Sequence, residues 1–547
     1  MKKYRSIKVL QKDALVKNSI KSQYQLYSYY KHGDFVEKDQ NEADRYLRML
    51  DNNFQTVKFY LKKIRLINFR GFSNLSIDLS TDSVIIAANN GYGKTGILES
   101  IYNCLTWLIK NFKASGANGN SIKIEDIRAQ EGVESATVIL DVSLMQDNVE
   151  NSTYSINLSK TNSDAEEKQD SSYLEFRSLA DLYRELGSLG HSIPVFAFYS
   201  VERGNTIRKN DFKKSSDYSN IDFGSNDYAL NISNSPKFEA FLAWILSEKT
   251  KKAMKYFTNS KTRELEKNIN TLAVLESLKS EDPAIEIIIN DLKKSINKAK
   301  PNTNYNEENE FTEKVNMVFS AIYTFMPEVK NFTFEYDEKN KSIELFCLKN
   351  DCKISVSQLS QGEKTMLSLV CDISLRLISA NYRSSDPFNG NGVVIIDEID
   401  LHLHPIWQQT ILLRLQATFK NIQFIISTHS SNVLSTVSNE CIRRIIESDN
   451  KLSGNYDIEI PYFSLGAEAS ALQENIQGVP ARPESVDIVK KLLNYKEMIS
   501  NDMWDSAEAE ELFTELCEWA EGRDPIITKL RLDVSLRKKR RNKSERF

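Results

Sequence analysis

Long apolar runs are missing from this sequence. None approaches the ~18–20 consecutive residues needed to span a bilayer, so no membrane partner is expected. The basic start, MKKYRSIKVLQKD, is broken by polar residues where a signal peptide needs its apolar stretch. A cytoplasmic location is the expectation. Paired cysteines are also lacking. The six cysteines are scattered at 104, 347, 352, 371, 441 and 517, and none forms a CxxC pair, which argues against both a zinc knuckle and a disulfide framework. Nor does one sign of charge dominate. A formal net charge of -4 gives no global case for nucleic acid, and any such case must be local.

What is present is an ordinary globular composition, 41% hydrophobic and 27% charged over 547 residues, with material for a large core and several domain-sized units. Residues 1–52 read as helix, and QLYSYYKHGDFVEKDQNEADRYLRML breaks its helical spacing once, at HGDF. One such hairpin cannot bury its own face, so it should lean on a neighbouring domain or a partner. From residue 57 the texture is that of strands: VKFYLKKIRLINFRGF, LSIDL, SVIIAA, ATVILDVSL and SIPVFAFYS. A polar loop is expected at 207–235, charged helices through 298, and a strand pair around an EKNK turn. The last 80 residues read as helical and end in a basic run.

Four short motifs carry chemistry. ANNGYGKT follows the strand SVIIA and opens a helix, the context of a phosphate-gripping loop, although Ala88 stands where that loop usually begins with glycine. Backbone N–H groups between Asn90 and Thr95 can curl around a phosphate, Lys94 can reach the terminal phosphates, and Thr95 can ligate magnesium. The nucleotide-binding set is thus Asn89, Asn90, Gly91, Tyr92, Gly93, Lys94, Thr95 and Gly96. Ala88 matters only if its φ is positive, where a Cβ costs about 1–2 kcal/mol. In GVVIIDEIDLHLHP an apolar strand ends in two acids. Asp397 would hold magnesium, and Glu398 would orient and deprotonate the attacking water. LSQGE places Ser360, Gln361, Gly362 and Glu363 at a helix start, a second anion site. QFIISTHSS ends a further strand in His429, placed to hydrogen-bond a γ-phosphate.

In this order the four motifs resemble those of the ABC-type ATPases: P-loop, signature, Walker B and switch histidine. The resemblance implies Mg2+ and ATP as cofactors, Glu398 and His429 as catalytic residues, and a signature that grips nucleotide bound by another copy. A magnesium-contacting glutamine is harder to place; Gln130 in EDIRAQEG lies at a plausible spacing, and Arg203 could approach the phosphates. His402 and His404 invite a metal reading, but LHLHP follows Walker B in SMC- and RecF-like ATPases, where it shapes an interfacial loop.

No CxxC hook or long coiled coil occupies the stretch between Lys94 and Ser360, and no Toprim pattern follows His429. LINFRGF, FAFYSVERG, FEAFLAWI and LSQGEKTMLSLV resemble the SMC/RecF-like AAA group. With the N-terminal hairpin and WAEGRDPIITKLRL, the chain resembles the PtuA-type ATPases of Septu anti-phage systems, above all those encoded with retrons. That resemblance implies an α/β P-loop fold with helical extensions: 1–55 a Sel1/TPR-like extension, 56–206 a P-loop lobe, 207–330 a loop and helical insertion, 331–468 a lobe with the other motifs, and 469–547 a helical region with a basic tail. It also implies an HNH endonuclease partner (PtuB-like), a reverse transcriptase with its RNA-linked DNA, homo-oligomers and abortive infection. The basic run Arg537–Lys543 reads either as a disordered solubilising tail or as a phosphate contact to nucleic acid. The 20–50 hairpin and the C-terminal helices are expected to dock other subunits. The alternative is a RecF-type repair ATPase with no toxic partner.

Overall fold

The computed structural model describes residues 7–89, 91–162, 170–201, 226–231, scattered positions from 236 to 245, 305–337, 342–448, 455–521 and 523–544. Asn90, Arg203, the charged stretch through 298 and the EKNK turn lie outside the described residues, and the 207–235 loop is described only at 226–231. Contacts divide the chain into two compact units, Met1–Gly466 and Ala467–Phe547. No described helix is long and apolar enough to cross a membrane.

The first unit is built on two sheets. An antiparallel sheet runs β2-β1-β4-β5, from β1 (Val57–Phe69), β2 (Phe72–Asp78), β4 (Ser135–Gln146) and β5 (Val149–Thr161). Burial alternates along β1 and β5, as expected where one face meets the core and the other does not. The second sheet runs β13-β12-β3-β11-β10-β6. Its strands are β3 (Ser83–Ala87), β6 (Val195–Tyr199), β10 (Gly392–Ile396), β11 (Ile422–Thr428), β12 (Ile442–Glu447) and β13 (Tyr456–Glu459), with only β13 antiparallel. Every residue of β3, β6, β10 and β11 is buried, so these strands are largely apolar, with Ser83, Gln423, Ser427 and Thr428 as buried polar exceptions. Gln423, buried in β11, clamps the two sheets together. Its Oε1 accepts from Leu61 N at 2.8 Å and its Nε2 donates to Leu79 O at 2.6 Å. A smaller sheet, β7 (Val329–Asp337), β8 (Ser342–Lys349) and β9 (Cys352–Ser355), leads into the helix Gln361–Ala380.

The N-terminal segment forms three helices, Ile7–Val16, Ile20–His32 and Gln40–Asn53. Ser19 caps the second, and Gly33, with φ 84°, ends it at the break read in HGDF. Of the two supports expected for the 20–50 hairpin, a neighbouring domain or a partner, the structure shows the first, because the hairpin packs on its own lobe. Side chains of β5 cap its second helix from outside: Ile20 N donates to Asn151 Oδ1 at 2.8 Å and Lys21 N to Ser152 Oγ at 3.1 Å. Tyr27 and Lys31 both bond Glu185 of the Leu174–Ser188 helix. Leu26 and Leu50 are fully buried, while Tyr29, Tyr30 and Leu47 are half-buried.

The second unit has four helices, Ala469–Gln477, Asp487–Ser500, Ala507–Ala520 and Pro525–Ser544, the last three gathered on Leu492, Tyr495, Trp504, Leu516 and Ile527. The basic run is therefore no disordered tail, because the Pro525–Ser544 helix carries it. Arg537 pairs with Asp502 and Asp533, Arg541 with Asp505, and Lys538 and Arg541 lie 5.6 and 5.8 Å from the Trp504 ring.

Candidate nucleotide site

Parallel pairing brings the motifs together. Ala87 at the end of β3 is in register with Thr428 of β11, and Ile426 of β11 with Ile396 of β10. The P-loop, Asp397 and His429 therefore leave the same edge of the sheet, with the histidine strand between the other two. This is the carboxyl edge, where open α/β sheets bind ligands.

The loop 88–93 turns β3 into the helix Lys94–Lys113. Gly91 and Gly93 take φ 85° and 76°, the left-handed region that glycine enters without penalty. Ala88 is not among the positive-φ residues, so its Cβ costs the loop nothing. A Cβ on Gly93 would stand 2.9 Å from Phe72 Cζ, and one on Gly96 3.0 Å from Arg70 Nη1. Arg70, from FRGF, braces this turn by pairing with Glu99 at 2.7 Å and Asp126 at 2.8 Å. Tyr92 is half-buried; its hydroxyl donates to Glu447 at 3.1 Å and its ring lies 5.3 Å from that of Tyr456.

Lys94 is 6% exposed, and its Nζ donates to the carbonyls of Ala88 at 3.0 Å and Asn89 at 3.3 Å. Burial pushes the ammonium below its ordinary pKa, against the pull of Glu398, Asp397 and Asp400. Thr95 Oγ1 donates to Asp397 Oδ2 at 2.7 Å, and Asp397 is fully buried. A hydroxyl beside a carboxylate, both hard oxygen donors, suits Mg2+, so Thr95 and Asp397 could hold that ion.

Three groups that sequence reasoning passed over fix these acids. Ser427 Oγ donates to Asp397 Oδ1 and accepts from Glu398 N at 2.7 Å. Thr428 Oγ1 and His429 N both donate to Asp400 Oδ1. The signal was visible in IISTH: hydroxyls closing a buried strand need acceptors. Glu398 itself has φ 46°, strain of a kind that clusters at functional sites. His429 Nε2 lies 3.9 Å from Glu398 Oε1. Burial, then Lys94, holds the imidazole below its ordinary pKa, despite the nearby acids.

Ser360 caps the Gln361–Ala380 helix in a reciprocal box with Glu363. Its Oγ donates to Glu363 Oε2 at 2.9 Å, and Lys349 reaches Glu363 Oε1 at 2.7 Å. Burial pushes the Glu363 carboxyl up, but hydrogen bonds from Lys349 and Ser360 outweigh it and hold the group below its ordinary value. Ser360 and Gln361 are exposed, and a Cβ on Gly362 would stand 2.8 Å from His402 O, so the signature turn abuts the LHLHP loop. His402 sits in a left-handed turn at φ 63°, and His404 Nδ1 accepts from Ile406 N at 3.4 Å as a helix cap. Among the described residues no cluster of three or more His, Cys, Asp or Glu could hold a metal. Gln130 is exposed on a bend at 128–133, and among the described residues no hydrogen bond ties its side chain to Thr95 or Asp397.

An AAA domain family model matches residues 63–316. A Vibrio cholerae protein, "Retron Vc95 probable ATPase", is 31% identical over 90% of this chain and 93% of its own length. An Escherichia coli protein, "Retron Ec83 probable ATPase", is 30% identical over 94% of each. The chain belongs to this family of retron ATPases. The Septu protein PtuA of Bacillus mycoides shares 41% identity over 75 residues, 14% of this chain. Among solved structures, the Smc head domain from Pyrococcus furiosus is similar over 73% of the chain and 96% of that structure, at 14% identity and a TM-score of 0.34. The family accounts for the α/β P-loop architecture and its assembled motifs.

Proposed function

We propose that the chain is the ATP-binding and ATP-hydrolysing regulatory subunit of a retron- or Septu-type anti-phage complex, controlling a partner HNH endonuclease. The observation that carries this reading is similarity to retron ATPases over nearly the whole chain, joined to a site in which Lys94, Thr95, Asp397, Glu398 and His429 leave one sheet edge. Lys94 and the loop amides hold the phosphates. Thr95 and Asp397 would hold magnesium, which would neutralise charge on the phosphates. Glu398 orients the attacking water and takes its proton. His429, neutral at pH 7, keeps a ring N–H to donate to the γ-phosphate. Ser360 and Gly362 of a second copy complete the site, because the signature turn, with Ser360 and Gln361 exposed, stands at a helix start, where anions are favoured. Turnover is slow, since a switch needs occupancy more than rate.

The reverse transcriptase with its RNA-linked DNA joins the same assembly, and the Pro525–Ser544 helix offers exposed Lys539 and Arg540 to nucleic acid. A search of the adjacent genes for an HNH endonuclease, followed by its co-expression with this chain, tests the reading. The nuclease should co-purify with the wild-type chain, and Lys94→Ala should abolish protection against phage while preserving the complex. Protection that persists in Lys94→Ala, or without any nuclease, contradicts it and favours a repair ATPase of RecF type.

A further inference from the structure

The Gln361–Ala380 helix carries a charge pair that the nucleotide site does not touch. Asp372 and Arg376 are 0% and 1% exposed and meet at 2.8 Å, Nε to Oδ2. Asp372 also accepts from the hydroxyls of Tyr199, at 2.7 Å, and Tyr228. Arg376 Nη1 donates to Asn231 O at 2.9 Å and lies within hydrogen-bond reach of Phe196 O and Ala229 O. Ala229 N in turn donates to Ser379 Oγ at 3.2 Å. Burial would raise the Asp372 carboxyl, but Arg376 and the hydroxyls outweigh it and keep the group ionised. The pair thus joins the signature helix to the end of β6 and to the segment 226–231.

Such a pair is a poor stability device, because well-packed apolar replacements of buried ion pairs are often neutral or stabilising. Its contribution is a single placement. Every residue from Thr365 to Ala380 is buried, and the apolar contacts of a helix repeat from turn to turn, so they alone can be met in registers one turn, about 5.4 Å, apart. A carboxylate and guanidinium that must meet two hydroxyls and a set of carbonyls fit only one. The placement reaches the nucleotide site through Tyr199. Its hydroxyl holds Asp372, while its carbonyl accepts from Asp397 N at 2.9 Å. At the other end of the helix, Gly362 abuts the loop that follows Glu398.

We propose that Asp372 and Arg376 are positioning residues that fix the height of the signature helix against β6, and so set Ser360 and Gly362 relative to Asp397 and Glu398. The proposal rests on the composite-site reading above. Neither residue touches nucleotide; both act through the helix that bears the signature.

The double variant Asp372→Asn/Arg376→Met removes the charges, keeps one acceptor oxygen where Tyr199 and Tyr228 now meet two, and fills most of the volume. Hydrogen exchange and steady-state kinetics are read on the full chain. Amides of residues 360–364 should exchange at least about 10-fold faster, while those of 94–98 keep their protection. The kcat for ATP should fall about 100-fold if the signature moves by about 1 Å, with affinity for a fluorescent ATP analogue within about twofold of wild type. Wild-type protection and kcat in the folded variant overturn the proposal, as does a kcat loss that merely tracks the folded fraction. If the variant does not fold, Tyr199→Phe/Tyr228→Phe, which deletes only the hydroxyls, carries the same readouts. Should the wild-type chain hydrolyse no ATP, the composite-site reading fails, and the exchange arm still decides the positioning claim.

Discussion

Exchanging Gly93 and Ala88, two small residues of the P-loop, should have very unequal consequences. Gly93 has φ 76°, so an alanine there pays about 1–2 kcal/mol for the left-handed backbone. Its Cβ would also stand 2.9 Å from Phe72 Cζ. Phe72 is 2% exposed and its ring centre lies 5.4 Å from that of Tyr456, so it has little room to retreat, and overpacking of this kind costs about 1–3 kcal/mol. Gly93→Ala should therefore lose about 2–5 kcal/mol in total, or move the loop off its phosphate-binding path. Ala88→Gly is the reverse case. Ala88 has no positive φ, so glycine gains nothing in the folded state and costs only about 0.4–1 kcal/mol through the unfolded chain. Urea denaturation with and without magnesium-ATP reads both terms, because a ligand bound only by the native state raises the midpoint. Gly93→Ala should lose stability and the ATP-dependent increment; Ala88→Gly should keep the increment. A Gly93→Ala chain with wild-type stability and ATP response would refute the reasoning, and so would an Ala88→Gly chain that binds ATP ten times more tightly.

Three other outcomes are expected. Glu398→Gln should still bind ATP but slow hydrolysis about 10²–10⁴-fold and accumulate ATP-bound dimers, since an amide orients water without taking its proton; wild-type single-turnover rates would exclude Glu398 as the base. His429 has a folded pKa below its ordinary 6.5, so the native state refuses a proton that the unfolded chain takes up, and its contribution to stability falls as pH drops through 6.5. His429→Gln should narrow the stability difference between about pH 5.5 and about pH 7.5, and an unchanged difference would show that the imidazole is not depressed. Deleting residues 1–52 strips the cover from Tyr154, now 1% exposed beneath Lys21, at about 1.5–3 kcal/mol for each large side chain uncovered; a truncated chain with wild-type thermal stability would show that the hairpin does not belong to the lobe.

The site was legible where chemistry demands a residue type at a fixed offset from a strand end. Lys94, Thr95, Asp397 and His429 follow buried, largely apolar strands, and parallel pairing sets the ends of those strands on one edge of the sheet. What was hidden depends on partners distant in sequence. Nothing in SQGEK shows that Glu363 will be taken by Lys349, or that Asp372 will be met by hydroxyls from 199 and 228. The docking of the N-terminal hairpin was open for the same reason. Asn151 and Ser152 accept the N–H bonds that cap the helix at Ile20 from more than 130 positions away. Gln130 was placed by spacing alone, and spacing does not determine where an irregular loop points its side chain. Composition did not show that within the basic run Arg537 and Arg541 pair with Asp502 and Asp505 of their own unit, while Lys539 and Arg540 stay exposed.

Mixing two inactive chains tests the central claim most directly. Lys94→Ala removes the phosphate grip, and Ser360→Arg blocks the signature, so neither variant alone should hydrolyse ATP. If the site is shared between copies, a heterodimer of the two restores one intact site. An equal mixture then recovers about a quarter of wild-type activity, half the dimers being mixed and each having one working site of two. An ATPase assay that shows this recovery supports a composite site in which the chain switches by pairing. A mixture as inactive as its parts, under conditions where the chains demonstrably exchange, would contradict the account.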